Sequence, residues 1–165
     1  MASMLVAPER SDAKQPSRSV LLNQLAHLVI ARARIATMQG ALLPERASPA
    51  QRVLVSAQCK ALFRDLEFRK NVLGALESVP AQPRARALGQ DALEFLASVV
   101  TFDGLDAFED QTNEGMLQRE TTPAKQEYVR RAVDKSASSL DALLELFDAA
   151  LVQQAVELAR ESGIS

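Results

Sequence analysis

The sequence predicts an all-α protein, an up-and-down antiparallel four-helix bundle with a flexible N-terminal tail and one long loop before the last helix. Three observations carry that expectation. Ser48-Pro49, Gln82-Pro83 and Thr122-Pro123 each stand just before a long apolar-periodic segment. A small polar residue can cap orphan N–H groups, and proline's fixed φ and missing donor cost nothing at the first helical position. The apolar content, 47 %, is dominated by Ala and Leu, with no Trp, a lone Tyr128 and six Phe. Ala and Leu head the helix-propensity scale, and the sparse strand formers never alternate over a useful length.

The elements follow in order. Met1 to Arg18 carries Pro8, Pro16 and little periodicity, and is expected to be a flexible tail; residues 19–165 form one bundle domain. The tail's Met-Ala-Ser start bears a faint likeness to an organellar transit peptide, against which stand Glu9 and Asp12. The first helix spans about 19–39, with Leu21, Leu25, Leu28, Arg32 and Ile35 on one face, then Gly40 and Pro44 to end it. The second spans 49–79 on Val53, Ala57, Leu62, Leu66, Leu73 and Leu76, with room for a break near Arg64–Asp65 that no Gly or Pro demands. The third, from Pro83 to Phe102, carries the stripe Ala85, Leu88, Ala92, Phe95, Leu96, Val99 and Val100. It is expected to end at Asp103-Gly104, leaving residues 103–121 as the long connection, with Leu105 and Phe108 in a short helical turn. The last helix runs 123–161 on Val129, Val133, Leu140, Leu144, Phe147, Leu151, Ala155 and Leu158; Leu144 and Phe147 are expected at the core centre. Ser136 to Ser139 is its weak point, where hydroxyls compete for backbone groups.

Composition narrows the function classes. One cysteine, Cys59, permits neither an intrachain disulfide nor a cysteine-based zinc site, and its slot between Ala57 and Ala61 suits a small core hydrophobe. One histidine, His27, leaves no His-based triad or Glu-x-x-His di-metal site, and suits a hydrogen-bonded helix border. No phosphate-loop, dinucleotide, nucleophile-elbow or zinc-protease motif occurs, and no catalytic, cofactor or metal residue is expected. No apolar run reaches the roughly 18 residues of a membrane span, since Arg32 and Arg34 interrupt the best candidate, so a soluble protein is expected. Residues 1–80 hold 11 basic and 6 acidic groups, and residues 81–165 hold 8 and 15. An acidic half disfavours nucleic acid, whose phosphates want a basic face.

Asp103, Asp106, Glu109 and Asp110 crowd one segment together with Leu105 and Phe108. The spacing fails the calcium-loop pattern, which leaves two readings: a solvated acidic connection neutralised within the chain by Arg64, Arg69 or Lys70, or, as the expectation carried forward, six residues that dock a partner with a basic patch, the two apolar ones as anchors. Carboxylates one or two turns apart, Asp91 with Glu94 and Glu127 with Asp134, lie outside the apolar stripes. The alternative is a small-ligand carrier or enzyme with a pocket between helices lined by Phe95, Phe102, Phe108 and Phe147.

One resemblance adds to this. Leu62-Phe63-Arg64-Asp65-Leu66 is followed by Val72, Leu73, Ser78 and Pro80, then by Phe95-Leu96-Ala97-Ser98-Val99, Thr122-Pro123, Glu127-Tyr128-Val129 and Ser138-Ser139-Leu140-Asp141-Ala142-Leu143-Leu144. Over about two-thirds of the chain this order resembles the PsbQ family, lumenal extrinsic subunits of photosystem II. The resemblance implies a four-helix up-and-down bundle, a thylakoid-associated chloroplast setting and a membrane-bound complex as partner. It carries over no binding residue. The expected function is therefore a non-catalytic bundle acting by protein–protein binding, as a small structural or assembly subunit, cytoplasmic if not plastid.

Overall fold

A computed structural model describes residues 17–43, 49–79, 83–112 and 123–163, without the side chains at 49–53, 102–112 and 123–125. Of the expected tail, residues 1–18, positions 1–16 lie outside the described residues, while Ser17 and Arg18 belong to the start of the first helix. Those described form six α-helices and no strand: α1 (Arg18–Ala41), α2 (Pro49–Asp65), α3 (Phe68–Glu77), α4 (Pro83–Thr112), α5 (Pro123–Leu144) and α6 (Ala149–Glu161). Pro49, Pro83 and Pro123 each stand at the first helical position, where a missing N–H leaves nothing unsatisfied.

Two of the four expected helices are broken. The second divides at Leu66 and Glu67, directly after the Arg64–Asp65 position allowed for a break, with Glu67 left-handed at φ 46 and ψ 41. Buried Asn71 seals that break: its Nδ2 donates to Leu66 O at 2.7 Å and to His27 Nδ1 on α1 at 3.0 Å. The break shifts the helical phase, so Phe68, Val72 and Ala75 are buried and Leu73 is turned outward, against expectation; Ala57 is exposed as well. The last helix divides at residues 145–148, where Asp148 Oδ1 accepts from Leu151 N at 3.0 Å and caps α6. The serines expected to weaken it stay helical. Ser136 Oγ donates to Ala92 O of α4 at 2.8 Å, and Ser138 Oγ to Asp134 O of its own helix at 3.0 Å, so these two hydroxyls have partners that leave the helix ladder intact. The third helix outruns its expected end and continues through Gly104 to Thr112, because one glycine costs a helix only about 1 kcal/mol relative to alanine.

α1 packs against α2, α3, α5 and α6, while α4 packs against α2, α3 and α5. Contacts fix direction. Met38 of α1 meets Cys59 of α2, His27 meets Asn71 and Gln24 lies over Gly74, so α2 and α3 run antiparallel to α1. Arg32 meets Asp141 and Gln39 meets Asp134, so α5 does too. The core is filled by Leu25, Leu28, Ile35 and Met38 from α1, by Leu62 and Phe68, and by Leu96, Val99, Leu140 and Leu143. Leu144 and Phe147, expected at its centre, are only half-buried because they flank the α5–α6 break; Leu140 and Leu143 hold that place. α3 and α4 approach closely at Gly89, where a Cβ would stand 2.8 Å from Leu76 Cδ1 and 3.1 Å from Val72 Cγ1.

Candidate interaction surface

Asp103, Leu105, Asp106, Phe108, Glu109 and Asp110 stand on the last third of α4 rather than on a loop; their side chains lie outside the described residues. Antiparallel packing puts this stretch at the end of the molecule where α1 stops and α2 and α5 begin. Three large apolar residues are exposed there: Leu43 at 42 %, Leu54 at 50 % and Tyr128 at 43 %. Leu43 and Leu54 occupy the same level of the α1–α2 pair, five residues beyond Met38 and five before Cys59. Sequence reasoning missed them. The only signal was Leu54 standing off the stripe between Val53 and Val55, and Leu43 just beyond a helix end.

Of the four phenylalanines expected to line a pocket, only two have side chains among the described residues. Phe95 and Phe147 are half-buried against the core, and the side chains of Phe102 and Phe108 are outside the description. Among the described residues, Phe63 and Phe68 pair edge to face at 5.8 Å across the α2–α3 break. Of the paired carboxylates, Glu127 and Asp134 are not free for acid–base work. Arg130 grips Glu127 through Nε at 2.8 Å and Nη2 at 2.7 Å, and Arg131 Nε adds a contact at 2.6 Å. Hydrogen bonds from Arg130 and then Arg131 hold the Glu127 carboxyl down at about 2, so it stays charged near neutrality. Asp134 accepts from Arg130 at 3.0 Å and from Gln39 at 2.8 Å. Burial pushes the Cys59 thiol up to about 12, which leaves it an inert core residue beside Met38. No group of His, Cys, Asp or Glu able to hold a metal occurs among the described residues, and none of their helices is long and apolar enough to cross a membrane.

A second exposed feature lies on α3. Leu73, 49 % exposed, separates two open grooves. One, of about 640 Å³, runs between α3 and α4 and is flanked by Arg69, Glu77, Arg86 and Glu94. The other, of about 740 Å³, is floored by Gln24, Phe63 and Gly74 under Arg64 and Lys70. Arg64 is paired with Asp65, and Lys70 with Glu67, at 2.6 and 2.8 Å. A Cβ at Gly74 would run into the Gln24 amide, so glycine is what lets that side chain lie across α3.

Compared with family models, curated proteins and solved structures, the chain matches none.

Proposed function

We propose that this protein is a non-catalytic helical module that works by binding another protein at the end where α4 finishes and α5 begins. In this reading α2–α3 and α5–α6 are bent arms of one up-and-down four-helix bundle. The pairings support it, since α1, α2–α3, α4 and α5 each touch the next around a ring. One observation carries the functional reading. Leu43, Leu54 and Tyr128 come from three separate segments and are exposed at the end to which Asp103, Asp106, Glu109 and Asp110 belong. Apolar anchors at an end of the molecule whose backbone also carries these acids suit a partner presenting a basic patch around an apolar pocket. The ion-paired Glu127 and the inert Cys59 favour this over chemistry. The plastid setting and a photosystem II partner rest on the PsbQ resemblance alone.

The test is affinity purification from the native source with wild type, Leu54→Asp and Asp106→Lys/Glu109→Lys. Co-purifying proteins lost with both variants, and lost more steeply at low salt with the second, are expected. An unchanged set of proteins would remove this end as the binding surface. Photosystem II subunits in that set would support the plastid setting.

A further inference from the structure

The outer face of α3 and α4 carries the same charge pattern twice. Arg69, Leu73 and Glu77 follow one another at four-residue spacing on α3, as Arg86, Gln90 and Glu94 do on α4. Four-residue spacing keeps each trio on one stripe of its helix, and all six residues are exposed along the 640 Å³ groove. The helices meet at Gly89 with Val72 and Leu76, which sets Leu73 and Gln90 at about one level. Arg69 and Glu94 are then at one end of the groove, with Glu77 and Arg86 at the other. The charges form a checkerboard, positive and negative on α3, negative and positive on α4. They do not neutralise one another within the chain. Among the described residues Arg69, Glu77 and Arg86 make no hydrogen bond or ion pair, and Glu94 only accepts from Gln90 at 2.7 Å.

Such a face is complementary to itself. A two-fold axis lying in the surface, crossing both helices at the level of Leu73 and Gln90, sets a second copy of α3 antiparallel on the first. Arg69 then meets Glu77 of the second copy, and Glu77 meets its Arg69. On α4 the same rotation sets Arg86 against Glu94, and Leu73 covers its own symmetry mate. An unrelated partner would need complementary charges on its own surface but no such symmetry in this one; a two-fold contact requires that the patch match itself. We infer that the chain pairs with a second copy through α3 and α4, as a two-fold dimer centred on Leu73. The patch is two short helical stripes, smaller than a permanent interface, so the dimer is reversible and concentration-dependent. It is separate from the end proposed above to bind another protein, so failure of either leaves the other standing.

The full chain is examined by sedimentation velocity from about 1 μM to about 1 mM, the range in which weak self-association is read. Wild type is expected to pass from monomer to dimer. Arg69→Glu sets like charges together twice per dimer and should weaken association at least about tenfold. The swap Arg69→Glu/Glu77→Arg restores opposite signs at both contacts and should recover it, with circular dichroism unchanged throughout. Leu73→Cys should give a disulfide-linked dimer under mild oxidation, since buried Cys59 cannot. Wild type monomeric over the whole range would overturn the inference. So would a dimer indifferent to Arg69→Glu, or one that is neither restored by the swap nor trapped by Leu73→Cys.

Discussion

The seam between α1 and α5 and the seam between α3 and α4 use their charges in opposite ways. Across the first, the ionic groups that meet are partnered within the chain: Arg32 holds Asp141 at 2.6 and 2.9 Å, and Gln39 hands on to Asp134, Arg130 and Glu127. Along the second, the helices close on apolar contacts around Gly89, while Arg69, Glu77 and Arg86 are left without partners among the described residues. A seam whose charges are satisfied internally contributes to the fold and has little left to offer another molecule. Unpaired charges in an ordered row beside a half-exposed leucine contribute little to the monomer, and stay available to another molecule.

The sharpest way to break this contrast is to truncate an apolar residue on each side of it. Leu140 on α5 is fully buried, and Leu140→Ala should cost about 2–5 kcal/mol through lost burial and a residual cavity. Leu73→Ala, measured at low concentration where the chain is monomeric, should change stability by no more than about 0.5 kcal/mol. Chemical denaturation of both variants decides it. A Leu73 loss approaching that of Leu140 would make α3's outer face part of the monomer's own core.

A smaller effect is expected from the ion pair itself. Arg32 and Asp141 meet through two parallel hydrogen bonds, but both side chains keep contact with water. A double-mutant cycle of Arg32→Ala and Asp141→Ala should give a coupling of about 0.5–1 kcal/mol, falling with added salt. The same cycle on Arg69 and Glu94, which face each other across the α3–α4 groove, should give none in the monomer. Equal coupling at both places would erase the distinction between the seams.

Much of the fold was legible where one residue type acts through local sterics. Proline at 49, 83 and 123 marks three helix starts because its ring suits that position and few others. The breaks were harder for two different reasons. Asp148 is an ordinary cap, overlooked because the apolar period runs on through Leu144, Phe147 and Leu151. Glu67 has no local signal. It takes a left-handed conformation that glycine would favour, and buried Asn71 closes the gap through contacts with Leu66 and, forty-four residues away, His27. The acidic stretch from Asp103 was legible as a cluster, while Gly104 gave a false stop. Arg69-x3-Leu73-x3-Glu77 and its counterpart at Arg86 are visible in the sequence. They acquire meaning only once Gly89 sets the register of α3 against α4.

Acid titration gives the finest test of the paired seam. The Glu127 carboxyl sits at about 2 instead of its ordinary 4.5, first because Arg130 donates two hydrogen bonds to it and then because Arg131 donates another. A folded-state value below the unfolded one means that the ionised form favours folding. That contribution is complete above the unfolded value and fades as the pH falls from about 4.5 through about 2. Glu127→Gln should therefore flatten the stability profile over this window and leave its shape near neutrality unchanged. Carboxyl resonances followed by NMR in the wild type should show Glu127 titrating at about 2, with Arg130→Ala moving its midpoint up toward the ordinary range. Because the carboxylate is open to solvent, high salt should move it the same way. A midpoint already ordinary at low salt would mean that the α5 arginines do not hold Glu127 in solution, and the paired seam would then resemble the unpaired one.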